Sequence, residues 1–311
     1  MMNPIDLQIQ SNKSDGKYPP AELVERAKRL GLTTVAITDH DSVAGVREAM
    51  KKGEEVGVKV ISGIEMSCNF LHHEFHLLGF GMDDADPALL SALALFQEDR
   101  VRRAEKMVEN LNRDGFVITM KEVRIFAEGS VARPAIAEAL LMHPENKSKL
   151  GGDAYDISTV IRKFLVEGKS AYVGREHVAM KDAIELLHNA GGVAVWSHPA
   201  IHLDRDAKKI EETLEALIGA GLDGVEAFHP DYSEDEVEFL NMFAGKYGIL
   251  RTAGSDFHRD ADTYHAGKND GASELGGYNT YGFSIDDIVP KLEEAIQKRR
   301  SGEVAEPKTD G

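Results

Sequence analysis

The chain reads as an α/β protein, a seven-stranded (β/α) barrel of the TIM-like kind carrying a helical insertion, and three observations lead there. Short β-branched runs alternate with longer amphipathic ones, the mark of strand-helix-strand units. Seven such runs occur, a nearly regular count that suits a barrel better than an open sheet. Between the fourth and fifth runs lies a long stretch of different texture, with apolar residues at helical spacing only.

In order, the first strand is "IDLQIQ", which enters the turn "NKSDG". A helix from about Pro20 to Leu30 leads to "TTVAIT", and one from about Val43 to Glu55 leads to "VKVISGIE" and "FHLLGFG". Then Leu89, Leu93, Phe96, Met107 and Leu111 recur along one face of a helix. We therefore expect residues 86–174 to form the helical insertion, and residues 1–85 and 175–311 to form a discontinuous barrel. The rhythm resumes with "GGVAVWSHP", "LDGVEAFHP" and "YGILRTAGSDFH", each preceded by a helical stretch ending near a glycine. Strand-helix-strand runs predict parallel neighbours, because parallel pairing needs a crossover. After His258, "RDADTYHAGKNDGASELGG" reads as a loop and "SGEVAEPKTDG" as a disordered tail.

Composition limits the function classes. With 311 residues, 42% of them hydrophobic, the chain can fill a sizeable core. A formal charge of -17 argues against a duplex nucleic-acid surface, which needs clustered Lys and Arg, although one strand end can still be bound locally. The acid lies largely in solvated helical runs such as "KKIEETLEAL" and "SEDEVEFL". No apolar stretch is long enough for a bilayer, and the first residues lack the pattern of a signal peptide, so the expectation is a cytoplasmic protein without a membrane partner. The single cysteine, Cys68, reads as a small core residue. No G-x-S-x-G elbow and no P-loop occurs, so neither a serine hydrolase nor a nucleotide cofactor is supported. Nothing in the sequence fixes the oligomeric state.

Ligands of parallel sheets bind beyond the carboxyl ends of the strands, and the polar residues gather there. Asp15 follows the first strand, Asp39 and His40 end the second, and Glu65 ends the third. His76 lies in the fourth, His198 closes the fifth, His229 the sixth, and Asp256 with His258 the seventh. Carboxylates and imidazoles concentrated at one mouth cannot all be buried unpaired. Divalent cations resolve the problem, and mixed nitrogen and oxygen donors suit zinc, manganese or iron. Two ions about 3.5–4 Å apart would clamp an in-line displacement at phosphorus.

The segments "DLQIQSNKSDG", "AITDHDSVAG", "SGIEMS", "HLLGFGMD", "GGVAVWSHP" and "TAGSDFH" resemble, in order, the motifs of the PHP (polymerase and histidinol phosphatase) family. Within it the chain is similar to the branch of nucleotide bisphosphate phosphatases and 5′-3′ exoribonucleases. The resemblance implies a distorted barrel with the insertion over its mouth. It also implies a three-metal cluster and hydrolysis of a phosphate ester by a metal-bound hydroxide. The substrate would be a small phosphorylated metabolite, a nucleotide bisphosphate or a short 5′-phosphorylated oligonucleotide. By position, Asp15, His40 and His258 would hold the third ion, and His76 and His198, with Glu65 as a bridge, the second. The first ion would take Glu65, Asp256 and two histidines of the opening motif.

Those two positions are Gln8 and Gln10. An amide oxygen is a weaker, neutral donor toward zinc-like ions, so the first site should be weakened or retuned toward manganese or magnesium. A second departure is "ARPAIAEAL", where Arg133 matches a family arginine but Ala135 stands where the resemblance expects a phosphate-contacting histidine. Arg133 and His202 are the candidate contacts to substrate phosphate, and Asp256, His198 and His258 the candidate catalytic residues. His72, His73 and Lys13 read as solvated, and His229 either lines the site or makes a structural hydrogen bond. Two readings stay open: a metal-dependent phosphoesterase, or a silent PHP domain that binds metal or phosphate.

Overall fold

The computed structural model describes residues 3–71, 73–127, 131–150, 156–174, 178–260 and 274–303. His72, residues 261–273 of the expected loop and residues 304–311 of the expected tail lie outside them.

All seven strands form: β1 (Ile5–Ile9), β2 (Thr34–Ile37), β3 (Lys59–Phe70), β4 (His73–Phe80), β5 (Val193–Trp196), β6 (Gly224–Phe228) and β7 (Leu250–Ala253). They stand side by side in sequence order in one sheet. The barrel is nearly closed, since β1 meets the end of β7 only through a parallel bridge between Ile9 and Phe257, with Gln10 N donating to Phe257 O at 2.8 Å. α1 (Pro20–Leu30) and α2 (Val46–Val56) cross over between the first three strands.

The expectation of an all-parallel sheet is corrected at β4, which runs antiparallel to both β3 and β5. Only two residues separate β3 from β4, too few for a crossover, so the chain turns back on itself. The reversal matters for the site. A mouth residue on β4 must lie in its first half, and His76 does, paired in register with Ser67.

Between β4 and β5 come α3 (Pro87–Arg113), α4 (Met120–Phe126), α5 (Arg133–Leu141), α6 (Lys147–Leu150), α7 (Ile157–Val160) and α8 (Met180–Asn189). α3 belongs to two cores. Leu89 and Leu93 pack into the barrel core with Phe80 and Trp196, whereas Met107 and Leu111 pack with Ile136, Leu140 and Leu165. Cys68 is wholly buried in the barrel core, as expected of a small apolar residue. α9 (Pro199–His202), α10 (Ala207–Gly219) and α11 (Glu234–Tyr247) follow β5 and β6, and α12 (Ile288–Ser301) packs back on β5 and β7.

Candidate metal centre

The strand ends converge on one buried carboxylate. Glu65, near the middle of β3, is fully buried. Its Oε1 lies 3.0 Å from His76 Nδ1 and 3.2 Å from His198 Nε2, and it accepts from Ser197 Oγ at 3.1 Å and Gln8 Nε2 at 3.2 Å. Its Oε2 accepts from Gln10 Nε2 at 2.5 Å and faces His40 Nδ1 at 3.8 Å. Gln8 and Gln10 reach it together because alternate residues of a strand share a face.

Three groups of donors are close enough to share an ion: Asp15, His40 and His258; His40, Glu65 and His76; and His76, His198 and His202. The first is the set expected for the third ion; the second joins His40 of that set to Glu65 and His76, whereas the sequence expectation put His198 with them. In the third, His202 stands among the candidate ligands. Its ring lies 4.4 Å from that of His198, and its Nδ1 accepts from Trp196 Nε1 at 3.4 Å. Asp256 stands beside them, with Oδ1 3.8 Å from His258 Nδ1 and Oδ2 4.0 Å from His229 Nε2.

Backbone strain marks the same place. His198 and Asp256 have φ of +29° and +49°, and Asp41 has +50°. Such conformations cost about 1–3 kcal/mol each in non-glycine residues and persist where surroundings enforce them. For His198 the enforcing group is Glu226 of β6, whose Oε2 accepts the His198 backbone N–H at 2.9 Å. Gly16 closes the first turn against the chain, since a Cβ there would lie 2.1 Å from the Gln10 carbonyl oxygen.

Charge is sorted by depth. Burial opposes ionisation of Glu65, yet the charges of His40 and His76 and hydrogen bonds from His198 and His76 hold its carboxyl well below the usual range. Burial likewise opposes ionisation of Asp15 and Asp256, and His258 beside each brings both below it. The ring of His40 is pushed down to about 4 by burial. Deeper in the barrel, burial pushes Glu226 well up and raises Asp6 and Asp39 to about 6. The mouth is therefore ionised and the layer beneath it protonates easily.

Beside the cluster opens a cavity of about 260 Å³, lined by Asp15, His40 and His76 together with Arg100, Arg103, Arg133 and Glu74. Arg100 is buried, with Nε 2.6 Å from Asp41 Oδ2 and Nη2 donating to Ser67 Oγ at 3.0 Å. Arg103 Nη2 donates to Glu74 Oε2 at 3.2 Å. Arg133, the first residue of α5, is more open, 3.7 Å from Glu74 Oε1. Arg100 and Arg103 escaped sequence analysis although a signal existed: both fall on the apolar stripe of α3, where a solvated charge has no place. Lys13 pairs with Glu48 at 3.5 Å and His73 with Glu167 at 3.3 Å, away from the cluster.

The sequence model of the PHP domain matches residues 6–192. The chain is 31% identical over 256 residues to the 3′,5′-nucleoside bisphosphate phosphatase of Chromobacterium violaceum, covering 82% of this chain and 87% of that one. It is 30% identical over 269 residues to a 5′-3′ exoribonuclease of Haemophilus influenzae, covering 86% and 95%. Among solved structures, an amidohydrolase of Chromobacterium violaceum with bound sulfate superposes with a TM-score of 0.79 at 28% identity, over 94% of this chain and 97% of that one. By sequence and by fold, this chain belongs to the PHP domain family.

Proposed function

We propose that this metal-dependent phosphoesterase hydrolyses a phosphate monoester of a small phosphorylated metabolite, a nucleotide bisphosphate or a short 5′-phosphorylated oligonucleotide. The observation that carries the proposal is the shared cavity, lined both by candidate metal ligands and by three arginines. An incoming phosphate meets cationic forks there while touching the ligand cluster.

The residues present fit divalent ions at two places. Asp15 Oδ1, His40 Nδ1 and His198 Nδ1 are buried without hydrogen-bond partners, and such atoms are costly unless something pairs with them. In this reading Asp15, His40 and His258 hold one ion and His76 and His198, with Glu65, another. Manganese, zinc and iron suit these donors, with magnesium possible at the oxygen-rich end. Bound ions would supply Lewis-acid charge and activate water. Gln8 and Gln10 weaken the first site. Arg133, the most open of the three arginines, receives the phosphate, and His202 is positioned to contact either phosphate or ion. Asp256, His198 and His258 are the groups in reach to hold or pass a proton to the leaving oxygen. The names of the relatives support the substrate class: one acts on nucleoside bisphosphates and another is an exoribonuclease.

The amide hydrogen bonds onto Glu65 favour one alternative, a PHP domain that binds metal or phosphate without turnover. Phosphate release separates the two. The assay uses nucleotide bisphosphates, 5′-phosphorylated short RNAs and histidinol phosphate with manganese or zinc, for this chain and its Gln8→His/Gln10→His variant. Turnover by the unmodified chain is the expected result. Turnover by the variant alone identifies the silent module, and none by either contradicts the phosphoesterase reading.

A further inference from the structure

A carboxylate that shares an ion needs its inward oxygens free of competing protons. On the β1 side of the cluster they are not free. Gln8 Nε2 and Gln10 Nε2 donate to different oxygens of Glu65, at 3.2 and 2.5 Å. Neither amide can simply turn over. The Ser14 hydroxyl lies 3.0 Å from Gln10 Oε1 and 2.7 Å from Asp39 Oδ1, and Gln8 Nε2 also donates to Ser197 Oγ at 3.0 Å. Reversal would press a carbonyl oxygen against a carboxylate. Both side chains are fully buried, and Gln8 packs so closely on β7 that a Cβ on Gly254 would lie 2.4 Å from its own.

Asp256, the second carboxylate on this side, takes no such bond: His229 Nε2 lies 4.0 Å from its Oδ2, beyond hydrogen-bond reach, and His229 Nε2 and Asp256 Oδ1 are buried without a partner.

We propose that amide N–H donors replace a cation at the first position: Gln8 and Gln10 cap Glu65, and the centre holds two divalent ions, not three. The inference rests on the metal-dependent reading and narrows it. Glu65 then serves as an end ligand, each of whose oxygens also accepts one amide N–H.

The test is the manganese content of the full chain, loaded with excess Mn²⁺, freed of loose ion by gel filtration, and measured by native mass spectrometry and elemental analysis. Two ions per chain are expected, rising to three in Gln8→His/Gln10→His. Three ions in the unmodified chain overturn the inference and leave the metal-dependent reading standing. None in either chain overturns both. Gln10→Glu gives a second readout in case the histidine variant fails to fold, because it sets a carboxylate against Glu65 without changing shape. Its metal-free melting temperature is expected to fall by several degrees and to recover with Mn²⁺. An unchanged melting temperature contradicts the amide cap.

Discussion

Glu226 shows how a single buried side chain shapes the site through a backbone hydrogen bond. Its carboxylate accepts the His198 amide at 2.9 Å and so holds a histidine whose φ is +29°. Glu226→Ala leaves that amide buried and unpaired, a cost of about 1–3 kcal/mol. Glu226→Gln keeps an acceptor and should stay near the parent. Thermal melting and calorimetric Mn²⁺ titration measure the difference, and equal behaviour of the two variants would contradict the positioning role. The arginines of the cavity divide in a similar way. Arg100→Leu takes the cation from the buried Asp41 carboxylate, which keeps the Ser67 backbone N–H, and should cost about 3 kcal/mol in urea unfolding. Arg133→Ala should leave stability almost unchanged while raising KM for a phosphate ester severalfold, because Arg133 is the more exposed.

At the scale of elements, glycine at position 254 is required by close approach. A Cβ there would stand 2.4 Å from Gln8 Cβ and 2.8 Å from Gln8 N, backbone that cannot yield cheaply. Gly254→Ala should therefore spread β1 from β7, lower the melting temperature by several degrees and weaken metal binding, and a variant as stable as the parent would contradict this packing. The strands and the first helices were legible in the sequence because each carries its own periodicity: Pro20–Leu30 was read to the residue. The direction of β4 was not, since it depends on the length of the connection after Phe70 and leaves no mark in the strand's own residues. The ligand cluster was legible because strand ends converge by topology. The arginine wall was not, because Arg100 and Arg103 meet His40 and His76 only once α3 is folded over the mouth.

For the molecule as a whole, the charge of -17 and the ionised mouth make cation binding a stabilising event. Among the described residues no helix is long and apolar enough to cross a membrane. An ion that binds only the folded chain stabilises it by about 2.7 kcal/mol at a hundred times its Kd. For a chain of this size that corresponds to a melting shift of roughly 4 °C. Chelator should remove the shift and Mn²⁺ restore it, and a melting temperature indifferent to both would contradict a metal centre. The most direct measurement is anomalous diffraction from crystals of the chain soaked with Mn²⁺ and inorganic phosphate. The account predicts one manganese peak among Asp15, His40 and His258, a second among His76, His198 and Glu65, and phosphate density reaching toward Arg133. Manganese bound elsewhere, or phosphate absent from the arginine-lined cavity, would contradict it.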